Sequence, residues 1–100
     1  MADTAAKTKS VIKTKITEPG KYAVVLHNDD KTPMDFVVSM LVNIFNHDES
    51  NAFELMMKVH NHGSAVAGVY HNEVAEQKCS DGLAMAKHYK YPLSLSVEPV

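Results

Sequence analysis

The chain has 100 residues, 45% hydrophobic and 22% charged, with one cysteine and a formal net charge of −2. That length makes a single domain with room for a core; the lone Cys79 excludes an internal disulfide and a cysteine-paired zinc knuckle; and no apolar run approaches membrane length. Arginine, the residue best shaped for bidentate phosphate and base contacts, is absent, which argues against nucleic-acid recognition.

Charge divides the chain unevenly. Residues 1–21 hold five lysines (7, 9, 13, 15 and 21) against Asp3 and Glu18, a balance of +3. The remainder holds five lysines against ten acids, a balance of −5. Residues 1–20 are rich in Lys, Thr and Ala, close on Pro19-Gly20 and carry no apolar period. They read as a flexible N-terminal extension, in which Ser10 to Ile16 has the composition to become a strand against a partner. Residues 21–100 read as the folded domain. With no apolar signal-peptide core and no cysteine pair, a reducing, cytoplasmic setting is expected.

The domain opens with an apolar run, Tyr22 to His27, read as a strand. Thr32 has the character of a helix N-cap and Pro33 that of a first helical residue. From there, apolar positions 34, 37, 38, 41, 44 and 45 follow helical spacing. Asn46-His47-Asp48 interrupts the period, and Asp48 is expected to cap a second helix with Ala52, Phe53, Met56, Val59 and His60 on one face. Gly63 is expected to end it in the left-handed conformation. Ala65 to Tyr70 reads as a second strand. Asn72 is expected to cap a third helix, with Glu73 and Glu76 in its first turn and Lys87 and His88 in its last, as the helix dipole prefers. Gly82 inside that helix costs about 1 kcal/mol relative to alanine, which points to close packing there. Pro92 is expected to open a last strand, in which Leu93, Leu95 and Val97 alternate with polar residues. The order predicts an α+β fold: a small β-α-α-β-α-β domain whose three-stranded antiparallel sheet packs against three helices. The pairing of the strands does not follow from the pattern.

The chemistry gathers where the first strand ends. Asn28, Asp29 and Asp30 form a cluster of acceptors. If the end of the second helix returns to that point, His60 joins them. A charged primary amine has three donors and needs three acceptors. An amide oxygen, a carboxylate and either a neutral imidazole nitrogen or a histidine-held water meet that need. Met34, Val37, Met56, Val59 and Leu93 can then line an apolar pocket beside the polar corner. Other readings stand beside this one. The acidic run alone is also what an Asx turn with a helix cap requires. Asp29, Asp30 and His60 are also the residue types of a small hydrolase, but no nucleophile motif or phosphate-binding glycine run accompanies them. The histidines share no metal-ligand spacing, so neither metal nor cofactor is expected.

Five motifs occur in order: Asn28-Asp29-Asp30-x-Thr32-Pro33-Met34-x-Phe36-Val37, Leu55-Met56-x-x-Val59-His60-x-x-Gly63, Gly68-Val69-Tyr70, Glu73-Val74-Ala75-Glu76-x-Lys78 and Pro92-Leu93. In these the chain closely resembles ClpS, the bacterial and plastid adaptor family that delivers N-degron substrates to an AAA+ Clp protease. The resemblance spans residues 22–98 and implies an adaptor, not an enzyme. It implies that Asn28, Asp29 and His60 bind the substrate's free α-amino group. It implies that Asp30 and Thr32 form wall and entrance, and that Met34, Val37, Met56, Val59 and Leu93 admit Leu, Phe, Tyr or Trp. Met34 matches a position that helps to reject β-branched side chains. Glu73 and Lys78 match the surface that docks on the N-terminal domain of a ClpA/ClpC-type unfoldase. The basic extension matches the segment engaged during hand-over, and a monomer is expected. The alternative is a non-catalytic interaction module resembling the C-terminal domain of the ribosomal stalk protein, which shares the element order but explains neither the acceptor corner nor the pocket.

Overall fold

The computed structural model describes residues 20–100. The expected extension therefore lies outside the described residues, apart from Gly20, which takes a left-handed turn (φ 80°) into the first strand. The elements are β1 (Lys21–His27), α1 (Met34–Asn43), α2 (Glu49–His62), β2 (Ser64–His71), α3 (Asn72–His88) and β3 (Ser94–Pro99). The class is α+β, in the expected order.

The strands form one antiparallel sheet in the order β2-β1-β3. The most apolar strand, β1, takes the centre, where both ladders cover it. It sends Val24 and Leu26 into the core, and Leu26 pairs across the sheet with Leu95. Against them pack Met40 and Leu41 of α1, Ala52 and Met56 of α2, and Ala75, Cys79 and Ala86 of α3. Gly82 belongs to this layer: an added Cβ would lie 2.9 Å from the Leu95 Cδ1 atom and 3.4 Å from the Met40 sulfur.

Several boundaries differ from those expected. Thr32 does not cap α1. Pro33 occupies the cap position with extended backbone (φ −64°, ψ 144°), and its carbonyl accepts the first helical bond, from the Val37 amide at 3.3 Å. The helix thus begins one residue later than expected and has no side-chain cap, while the Thr32 hydroxyl donates to the Asp29 carboxylate. Nor does Asn72 cap α3: β2 runs into the helix without a loop, so His71 stands at the cap position and Asn72 is already helical. The β3 ladder opens at Ser94 rather than Pro92, because β1 ends at His27, the partner of Ser94. The buried stripe of α1 is Phe36, Val37, Met40 and Leu41, rotated from the expected one, with Met34 exposed. On α2, Ala52, Met56 and Val59 are buried, whereas Phe53 is exposed.

Asp48 caps α2 as expected, its Oδ1 accepting the Asn51 amide at 2.8 Å. Gly63 ends the helix at φ 93°, its amide donating to the Val59 carbonyl at 2.8 Å. Among the described residues no helix is long and apolar enough to cross a membrane.

Candidate functional site

The site begins with one backbone bond. The Asn28 amide, just past the end of β1, donates to the Gly63 carbonyl at 2.8 Å. Gly63 closes α2, so this bond draws the last turn of that helix, with Val59 and His60, against the acceptor run. The left-handed glycine turns the chain at once into β2, whose first residue, Ser64, pairs with His27. The left-handed region is where glycine avoids the Cβ penalty of other residues.

A cleft of about 280 Å³ opens at this junction. Asn28, Asp29 and His60 line it, and so do Asp30 and Thr32. The apolar part of its wall comes from Met34 and Val37 of α1, Met56 and Val59 of α2, and Leu93 before β3. All ten residues singled out for the amine corner and the pocket therefore face one space, although they come from four parts of the chain. Asn28 and His60 are exposed, Asp29 is half-buried, and Val37, Met56, Val59 and Leu93 are buried. Met34 is exposed and stands at the mouth of the cleft. Two further lining residues, His27 and Pro33, were not singled out in the sequence. The only local signal for His27 was a polar residue closing an apolar run beside Asn28.

The electrostatics of the corner are simple. Thr32 is buried, and its hydroxyl donates to Asp29 Oδ2. That bond engages one of the two carboxylate oxygens of Asp29. A pair of carboxylates with an amide and two imidazoles, and no lysine or arginine among the lining residues, accepts donors and favours positive charge. Among the described residues no group of three or more His, Cys, Asp or Glu is arranged to hold a metal ion. A second hollow of about 500 Å³, between α2 and β2, is lined by His47, Glu54, Leu55, Lys58 and Val66 among others, and none of the expected site residues reaches it.

The two residues matched to a docking surface lie elsewhere, on α3. Glu73 is exposed in the first turn. Lys78 is half-buried, and its ammonium donates to the Ile44 carbonyl at the end of α1 (2.6 Å) while lying 5.7 Å from the centre of the Tyr70 ring. Burial raises the Tyr70 hydroxyl above its usual pKa, so beside Lys78 the ring stays neutral.

Residues 17–96 match the family model described as ATP-dependent Clp protease adaptor protein ClpS. An ATP-dependent Clp protease adapter protein ClpS from Treponema denticola is 45% identical over 95 residues, spanning 95% of this chain and 94% of that protein. The protein of that name from Vibrio atlanticus is 44% identical over 88 residues, 88% of this chain and 83% of its own. That from Myxococcus xanthus is 43% identical over 97 residues, 97% of this chain and 91% of its own. Among solved structures, Agrobacterium tumefaciens ClpS2 bound to L-phenylalaninamide superposes with a TM-score of 0.80 at 36% identity, over 83% of this chain and 100% of that one. With the motifs, the fold and relatives matched along nearly its whole length, the chain belongs to the ClpS family of ATP-dependent Clp protease adaptor proteins.

Proposed function

We propose that this chain is a non-catalytic receptor for the unblocked N-terminus of other polypeptides. It reads the free α-amino group and a bulky hydrophobic first side chain (Leu, Phe, Tyr or Trp) and delivers the bound protein to a Clp AAA+ unfoldase-protease. The observation that carries the reading is the single cleft that has Asn28, Asp29 and His60 among its polar residues and Met34, Val37, Met56, Val59 and Leu93 among its apolar ones. A further support is the ligand of the Agrobacterium relative, L-phenylalaninamide, which has a free amine, a benzyl group and an amide where a peptide would continue.

The physics of selection follows. An α-amino group has a pKa of about 7.7–8.0 and is largely charged at neutral pH. Burying it is costly unless its donors are met, and Asn28, Asp29 and His60 are the acceptors for its three N–H bonds. A Leu or Phe side chain buried in the apolar part contributes about 1.5–3 kcal/mol. Ligand clefts usually exceed about 300 Å³, so a cleft of about 280 Å³ suits one residue rather than a longer segment. Asp30 and Thr32 form its wall and entrance, and Met34 at the mouth screens out β-branched side chains.

Delivery requires a second surface. Glu73 and Lys78 on α3 serve as the docking face for the N-terminal domain of a ClpA/ClpC-type unfoldase, with Lys78 held in place by its bond to Ile44. The lysine-rich first 20 residues serve as the segment engaged at hand-over. The adaptor works as a monomer in the cytoplasm, without cofactor or metal. Titration with a Leu- or Phe-initiated peptide and its N-acetylated copy tests the reading. The free peptide binds and the acetylated one does not, since acetylation removes the charge and two of the three donors. Equal binding of the two overturns the assignment.

A further inference from the structure

We infer that His27 is a positioning residue for the amine-binding corner, acting through a hydrogen-bond chain to β3. The inference rests on the receptor reading above. The His27 Nε2 atom lies 2.8 Å from the Ser96 Oγ atom, and the Ser96 hydroxyl donates to Glu98 Oε2 at 3.3 Å. The 2.8 Å contact joins His27 to Ser96 in either imidazole tautomer, and the longer contact continues the chain to Glu98.

The place of the chain in the fold gives it a purpose. Both ladders of β1 end at His27, which pairs with Ser64 on one side and Ser94 on the other. Asn28 and Asp29 project from the next two residues, beyond the sheet. On the α2 side, the bond from the Asn28 amide to the Gly63 carbonyl holds this strand end. On the β3 side, His27 reaches past its partner Ser94 to Ser96, the diagonal neighbour on that strand. The two ties flank the turn that carries Asn28 and Asp29, and His27 itself lines the cleft. A strand end held from both sides keeps the acceptors convergent before the ligand arrives, so less order has to be created on binding.

Calorimetric titration of the full chain with a Leu-initiated peptide at neutral pH tests this. The His27→Leu variant, which keeps bulk but has no donor, is expected to bind about threefold to tenfold more weakly, the range one net hydrogen bond confers. The His27→Gln variant, whose amide can stand in for Nε2 as donor or acceptor, is expected to recover most of that loss. Ser96→Ala reproduces it from the other end of the bond, and that pair of variants carries the test if His27→Leu does not fold. Thermal melts separate a positioning role from simple stabilisation, because a stabiliser alone lowers the melting temperature and leaves the affinity of the folded protein unchanged. Wild-type affinity in His27→Leu, or a Gln variant no better than Leu, overturns the inference alone. Failure of the wild type to bind any free-amine peptide overturns the receptor reading, and this inference with it.

Discussion

On the proposed reading, Asp29 serves both the fold and the ligand. Its Oδ2 takes the hydroxyl of buried Thr32, and the residue lines the cleft with Asn28 and His60. Removing the carboxylate leaves one ammonium donor without its charged partner and leaves the Thr32 hydroxyl unpaired. A lost hydrogen bond to a charged group is worth about 1.5–3 kcal/mol, and each 1.4 kcal/mol is about tenfold in affinity. Asp29→Ala is therefore expected to weaken binding of a Phe-initiated peptide by about tenfold to a hundredfold. Thr32→Val keeps the carboxylate but frees its orientation, and falls between that variant and the wild type. Lys87→Ala, at an exposed position in the last turn of α3, is the control and stays near wild type. Fluorescence anisotropy with a labelled peptide measures all three. If Asp29→Ala binds no worse than Lys87→Ala, Asp29 does not hold the amine.

At the scale of elements, α3 shows packing overruling propensity. Gly82 lies in its interior at a cost of about 1 kcal/mol against alanine, yet a Cβ there would meet Leu95 Cδ1 at 2.9 Å. Leu95 is itself buried in the sheet and has little room to turn away. Overpacking of this kind costs about 1–3 kcal/mol. Gly82→Ala is thus expected to lose about 1 kcal/mol net once the propensity gain is subtracted; urea unfolding reads it as a lower midpoint, and a raised midpoint refutes the packing argument. The need for a small residue at Gly82 was legible in the sequence because a glycine inside a strong helical period marks a position where a side chain does not fit. The Asp48 cap and the Gly63 terminus were legible as local chemistry within one turn of the chain. The order β2-β1-β3 was not, since a period of two assigns faces and leaves neighbours open. The Thr32 cap failed because α1 begins one residue later than the pattern implied, with extended Pro33 at the cap position. The bonds from Lys78 to Ile44 and from His27 to Ser96 span 34 and 69 positions, beyond any local pattern. The cleft residues were legible as residue types and motifs, and the bond from Asn28 to Gly63 supplies the convergence that a linear pattern lacks.

For the whole molecule, charge and position separate two tasks. Among the described residues, the cleft is lined between His27 and Leu93, by residues that the sheet and the helix ends hold together. The lysine-rich stretch, +3 over residues 1–21, precedes all of them, while the remainder carries −5. On the proposed reading, capture depends on the acceptors and apolar wall of the cleft. Hand-over is a different requirement, assigned in that reading to the lysine-rich stretch that precedes the cleft residues in the sequence. Deleting residues 2–20 leaves Lys21, where β1 begins and pairs with His71. The shortened protein is therefore expected to bind a Leu-initiated peptide with unchanged affinity and to fail in assisted degradation of a Leu-initiated substrate by a reconstituted Clp unfoldase and peptidase. It should also suppress delivery by the full chain when added in excess, because it occupies substrate without passing it on. A fall in peptide affinity on truncation contradicts the division of labour, and undiminished degradation removes the role assigned to the basic segment.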